Sequence, residues 1–206
     1  MKVLLLNGSP NARGNTRAAL EACAAELISC GVEAEITDVG TQPVSGCRGC
    51  GACEKLGRCV IDDGVNAFAE KLRAADGLIV GTPVHYASPG GAVISFLDRL
   101  FYSGQGRYAH KPAAAVAVAR RAGSVASIDV INKYFTIAQM PVVSSTYWND
   151  VFGLVPGDAE RDAEGMQTMR NLARNMAWLL KCIALGRANG VVPPVNDRSA
   201  ATNFIR

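Results

Sequence analysis

Apolar and polar positions alternate along this chain in two periods, and the changeovers between them mark its elements. Val3 to Leu6 is a continuous apolar run, the pattern of a strand buried on both faces of a parallel sheet. A polar stretch, Asn7 to Thr16, follows. Leu20, Cys23, Ala24, Leu27 and Ile28 then recur at helical spacing and Gly31 closes the pattern, so a helix is predicted over Asn15 to Cys30. Cys23 lies on its apolar stripe and reads as a small buried hydrophobe. Ala34, Ile36 and Val39 alternate loosely with Glu35, Thr37 and Asp38, as in a strand near a sheet edge.

The alternation continues to the end. Val65 to Ala74 is predicted as an amphipathic helix, Gly77 to Val80 as a strand, and Pro89 to Phe101 as a helix with Val93, Phe96, Leu97 and Leu100 inward. Ala113 to Ala119 is a fourth strand, Gly123 to Ala138 a helix, Pro141 to Ser145 a fifth strand, and Ala159 to Leu185 a long terminal helix. Five strands alternating with five helices imply an α/β, doubly wound parallel sheet with helices on both faces and ligands at the carboxyl ends of the strands. One domain, 1–206, accommodates all of it. Beyond Gly186 no period is visible, and 187–206 is expected to form a loose arm that another subunit could order.

Composition removes several classes of function. The 21 Lys and Arg stand against 18 Asp and Glu, and the only adjacent basic pair in the body is Arg120–Arg121, so nothing favours nucleic acid. The start has no signal-peptide pattern and no run reaches membrane-span length, so a cytoplasmic protein is expected. Seven cysteines in that setting argue for metal or redox chemistry over disulfides.

Candidate chemistry lies in the loops after the strands. Gly8 and Gly14 do not form the dinucleotide fingerprint and no Lys follows Gly14, which leaves a terminal monophosphate as the ligand of the first loop. Ser9, Asn11, Arg13, Asn15 and Thr16 offer hydroxyl, amide and guanidinium donors for it; the alternative is an ordinary turn capped by Asn15 or Ser9. After the third strand, Gly81 to Gly91 combines apolar walls with backbone polar groups, suited to a flat heteroaromatic ring. His85 and Tyr86 either meet such a ring or pack within the loop. Arg120 to Gly123 supplies a third polar turn, either a cation for a reduced ring or a solvated basic turn.

A second anchor is Cys47-x-x-Cys50-x-x-Cys53-x5-Cys59, in a Cys-rich loop over 46–60. The two x-x spacers resemble the ferredoxin run that wraps a [4Fe-4S] cluster, and Gly46, Gly49, Gly51 and Gly57 permit the tight backbone this needs. A structural zinc ion or four empty thiols are the alternatives. The x5 spacer, with no Pro after Cys59, argues for a single cluster.

GSPNARGNT, TPVHYASPGG, ARRAG and PVVSSTYWN together resemble the NADPH-dependent FMN reductase family of flavodoxin-like proteins, and the Cys run resembles its iron-sulfur flavoprotein subgroup. The resemblance implies a five-stranded sheet of order 2-1-3-4-5. It also implies FMN with its phosphate at Ser9, Arg13, Asn15 and Thr16, its ring at Pro83, Val84, His85 and Tyr86, and Arg121 and Gly123 near the pyrimidine side. Tyr147 and Trp148 match a family segment without a derived role. The expected function is an FMN-dependent oxidoreductase moving electrons between NAD(P)H or a reduced carrier and a small-molecule or ferredoxin-like protein acceptor. Flavin supplies the chemistry, so no catalytic triad is required. A quinone, azo or nitro reductase without a cluster, a flavodoxin-type carrier and a zinc-stabilised binding module are the alternatives; such carriers are usually strongly acidic, unlike this chain. A ring on surface loops is exposed on one side, so a homodimer or homotetramer is expected.

Overall fold

The computed structural model describes residues 1–200 and 202. Its sheet has the parallel order β2-β1-β3-β5-β6, built from β1 (Lys2–Asn7), β2 (Glu33–Asp38), β3 (Gly77–His85), β5 (Ala113–Ala119) and β6 (Asp150–Phe152). Counting these five main strands in chain order gives the expected 2-1-3-4-5 and a flavodoxin-like fold. An extra two-residue strand, β4 (Ser88–Pro89), folds back antiparallel on the end of β3.

Successive side chains of a strand point to opposite faces, which explains why β1, β3 and β5 read as continuous apolar runs. Leu4, Leu6, Leu78, Val80, Ala113 and Ala115 face one side and meet Phe68 and Leu72 of α3 (Gly64–Ala74), Phe96 and Leu100 of α4 (Gly91–Gly104) and Ile131 and Phe135 of α5 (Ser124–Ile137). Val3, Leu5, Ile79, Ala114 and Val116 face the other and meet Leu20 and Leu27 of α1 (Asn15–Ser29) and Leu172 and Met176 of α6 (Ala163–Ala188). The strand at the edge, β2, is only half-buried, as its loose alternation implied. Glu35 on it bonds Lys2 and Lys71 at 2.5 and 2.7 Å, joining β1, β2 and α3 at the surface.

Three expectations are corrected. Pro141 to Ser145 is not a strand: only Val142 makes an isolated bridge, to Ala113, and the fifth strand is Asp150–Phe152, in register with Ala117 to Ala119. The reason lies in α6, whose Asn175 donates to the Ser144 carbonyl at 2.8 Å and whose Thr168 carbonyl accepts the Ser145 hydroxyl at 2.7 Å. These bonds draw the chain away from β5 until Asn149. The third strand also runs on to His85, so that α4 starts at Gly91 instead of Pro89. Finally, Asp162 accepts from the Gly165 N–H and starts α6 at Ala163, after a single turn of 3-10 helix over Ala159–Arg161. A short helix, α2 (Ala52–Leu56), lies inside the Cys loop. No helix among the described residues is long and apolar enough to cross a membrane. The expected arm lies partly outside the described residues, at 201 and 203–206.

Candidate functional site

The loop after β1 is shaped by its own side chains. Asn7, fully buried, donates to Asp38 Oδ1 at 2.7 Å and accepts from the Ser9 N–H; Ser9 Oγ accepts from the Asn11 N–H; Asn11 Oδ1 accepts from the Arg13 N–H. Three short polar turns therefore carry the chain from strand to helix. The residue before α1 is Gly14, in extended conformation, and no side chain caps the helix or places an acid in its first turn. The ordinary capped turn is thus not what forms. The first N–H groups of α1 remain for an anion, reinforced by the helix dipole. Asn15, one of the expected phosphate donors, sends its amide to the Val155 carbonyl at 2.9 Å and accepts from the Ala159 N–H at 3.2 Å.

This loop forms one wall of a cleft of about 290 Å³ at the carboxyl ends of the strands. Of the candidate site residues, Ser9, Asn11, Asn15 and Thr16 meet there with Pro83, Val84 and His85. Arg13, Tyr86, Arg121 and Gly123 do not line it. Arg120, one residue earlier than expected, is the cation that does. Tyr86 is fully exposed at the tip of the β3–β4 hairpin, with φ of 50°. Gly123 has φ of 90°, and a Cβ there would lie 2.5 Å from the Ala87 backbone, so its role is to let α5 approach that hairpin.

A further wall, Gly153, Leu154 and Pro156, was missed by sequence reasoning. Asp158 holds it by accepting from the Leu154 and Val155 N–H groups, each at 2.9 Å, which also keeps its carboxyl below the usual range. The signal was present as a Gly, Pro, Gly, Asp turn set over 153–158.

Sulfur forms the second site. Cys47, Cys50, Cys53 and Cys59 all line one small pocket against α4, with Arg48, Arg99 and Tyr102. Gly51 and Gly57, with φ of 66° each, bracket α2 and turn the chain so that Cys53 and Cys59 face the same space. Burial pushes the Cys53 thiol up, and the nearby Cys50, Cys47 and Cys59 add to this. Asn66 of α3 grips the backbone of Cys59 at both its N–H and its carbonyl, 3.0 Å each. Gln105 donates to the Cys53 carbonyl at 2.8 Å. Among the described residues, no three Cys, His, Asp or Glu side chains close around a single metal ion.

A family model described as NADPH-dependent FMN reductase matches residues 1–153. The chain belongs to that family. An iron-sulfur flavoprotein of Methanocaldococcus jannaschii is 34% identical over 195 residues, covering 89% of this chain and 99% of the relative. One of Methanosarcina thermophila is 31% identical over 192 residues, covering 91% and 99%. A flavodoxin from the domain Archaea superposes with a TM-score of 0.60 at 16% identity, covering 88% of this chain and 99% of that one. The family match takes in the first loop, the β3–β4 hairpin, the Arg120 turn and the whole Cys run. Within this family member, sequence reasoning gave Asp63 no role and passed over Arg99. Asp63 caps α3 by accepting from Val65 at 3.1 Å and pairs with Arg99 at 2.6 and 2.7 Å, which holds its carboxyl low. The signal for Arg99 was a charge set on the apolar stripe Phe96, Leu97, Leu100.

Proposed function

We propose that this member of the FMN reductase family is an iron-sulfur flavoprotein, with FMN in the cleft and one [4Fe-4S] cluster on Cys47, Cys50, Cys53 and Cys59. It moves electrons between NAD(P)H or a reduced carrier and a small-molecule or ferredoxin-like protein acceptor. The observation that carries the reading is the convergence of all four thiols of the run on one pocket. Among the described residues no three such side chains close around a single metal ion, so the reading is supported by the shared pocket together with the Cys-x-x-Cys-x-x-Cys spacing of the run.

The residues present fit both groups. Bound FMN supplies hydride acceptance and one-electron exchange, and a cluster supplies one-electron transfer. The chain's own part is to bind and orient. The uncapped start of α1, with Ser9 and Thr16, suits a phosphate dianion, and Pro83 and Val84 offer an apolar wall to a ring. Arg120, which also lines the cleft, would supply positive charge to offset the negative charge of a reduced ring. The hairpin that walls the cleft leads directly into α4. Arg99, at the cysteine pocket, lies eight residues after Gly91, about 12 Å along the axis at the rise of an α-helix. Tyr147, Trp148 and Leu154, exposed near the strand ends, support a homodimer or homotetramer as the working form.

Anaerobic wild type against Cys50→Ala tests the cluster: the wild type should hold about four irons with matching sulfide, and the variant should lose both while keeping FMN. Stoichiometric zinc in the wild type, or iron indifferent to Cys50, overturns the reading. NADPH oxidation measured with menadione or with ferredoxin separates a reductase from a passive carrier.

A further inference from the structure

Beside the Cys loop, in contact with the half-buried thiol of Cys59, lies a buried arginine, Arg99. Its side chain is 1% exposed, and a guanidinium is retained in such a place only when its charge and all five N–H groups are answered. Nη1 donates to Asp63 Oδ2 at 2.6 Å and to the Ser45 carbonyl at 3.3 Å. Nη2 donates to Asp63 Oδ1 at 2.7 Å and to the Ile61 carbonyl at 3.1 Å. The remaining donor, Nε–H, points at Cys59 Sγ at 3.3 Å.

The arrangement has two consequences. Ser45 lies just before the Cys run and Ile61 just after it, so one side chain ties both ends of the loop to α4. The bidentate carboxylate of Asp63 fixes the guanidinium plane, which leaves Nε–H no other direction than the sulfur. A thiol is a weak acceptor and a thiolate a strong one, so this donor is matched to a cysteine held as thiolate.

We propose that Arg99 donates its Nε–H to the Cys59 thiolate of the cluster, and that this bond raises the cluster's reduction potential and helps Cys59 remain a ligand. The proposal rests on the cluster reading above. Reduction adds negative charge that spreads onto the thiolates, and a fixed N–H dipole with a cationic source favours that state. Arg99 is therefore a tuning and positioning residue. It has no direct part at the flavin cleft, whose lining does not include it.

Two measurements on the full chain, purified anaerobically, test this. Pulsed electron paramagnetic resonance of the reduced wild type, labelled with 15N in its arginine side chains, should show nitrogen coupling to the cluster, and Arg99→Lys should lose that coupling. A redox titration should place the cluster of Arg99→Lys at a more negative potential than the wild type, with the FMN couples unmoved. The wild-type spectrum stands even if the variant folds poorly. An iron-loaded wild type with no arginine coupling, or a loaded Arg99→Lys with an unchanged potential, overturns the inference alone. Wild type without iron and sulfide overturns the cluster reading, and this inference with it.

Discussion

Gly40 and Gly8 stand almost in backbone contact: a Cβ on Gly40 would lie 2.2 Å from the Gly8 carbonyl oxygen and 2.6 Å from the Ser9 carbonyl carbon. The N–H groups of Val39 and Gly40 both reach the Asn7 carbonyl, at 2.9 and 3.3 Å. The chain leaving β2 toward the cysteines is thus seated on the loop proposed to hold phosphate. Gly40→Ala forces backbone against backbone, and the expected cost is about 1 to 3 kcal/mol of stability, the usual range for overpacking. Weaker FMN binding should accompany it. Gly64→Ala is the control: a Cβ there meets nothing within 4 Å, and the substitution at the start of α3 should be neutral or slightly stabilising. Thermal denaturation of the two variants decides; equal stability would mean that the close approach is not maintained.

Cysteine reactivity should divide the chain in two. Burial pushes the Cys23 thiol up to about 12, whereas Cys47, Cys50 and Cys182 are exposed. The thiolate is the reactive form, so at pH 8 Cys23 is almost wholly protonated as well as shielded. In protein stripped of metal, iodoacetamide with mass mapping should find Cys47, Cys50 and Cys182 labelled first and Cys23 only after unfolding. Early labelling of Cys23 would show that α1 does not pack against α6 as described.

Oligomerisation makes a third prediction. Tyr147 and Trp148 meet edge to face with centroids 4.7 Å apart, yet each is 56% exposed, and Leu154, which lines the cleft beyond the other end of β6, is 67% exposed. Light scattering of the FMN-loaded protein at micromolar concentration should report a dimer or tetramer, and Trp148→Glu should shift it toward monomer. A wild-type monomer across that range removes the proposal.

What was legible in the sequence followed from periodicity and local turn chemistry. Val3 to Leu6 and Ala113 to Ala119 read as buried strands because both faces of the sheet are covered, and no partner needs to be known for that inference. The Cys run was legible because its spacing is itself the signal. Asp150–Phe152 was not, since three residues carry no period and its place is set by α6 drawing 144–145 away from β5. Arg99 stood in plain view on an apolar stripe, but its five acceptors come from Ser45, Cys59, Ile61 and Asp63, which only the folded loop assembles.

Asn15 and Thr16 are adjacent in the first turn of α1, and the structure predicts that they separate on mutation. Both are buried and both line the cleft. Asn15, however, spans to Val155 and Ala159, holding the wall that Asp158 shapes, across 140 and 144 residues of chain. Asn15→Ala should therefore destabilise the FMN-free protein by about 1 to 3 kcal/mol, because two hydrogen bonds are lost and the N–H of buried Ala159 is left without its partner. Its loss of FMN affinity should come with that loosening of the wall. Thr16→Ala removes a hydroxyl at the helix start and should weaken FMN by about 1 to 3 kcal/mol, the range for a hydrogen bond to a charged group, with little change in the stability of the FMN-free protein. Chemical denaturation of flavin-free samples, paired with fluorescence titration of FMN, resolves the two. If Asn15→Ala leaves the flavin-free protein as stable as the wild type, the bridge to 155–159 is not a structural tie. If Thr16→Ala binds FMN unchanged, the phosphate does not sit at the start of α1.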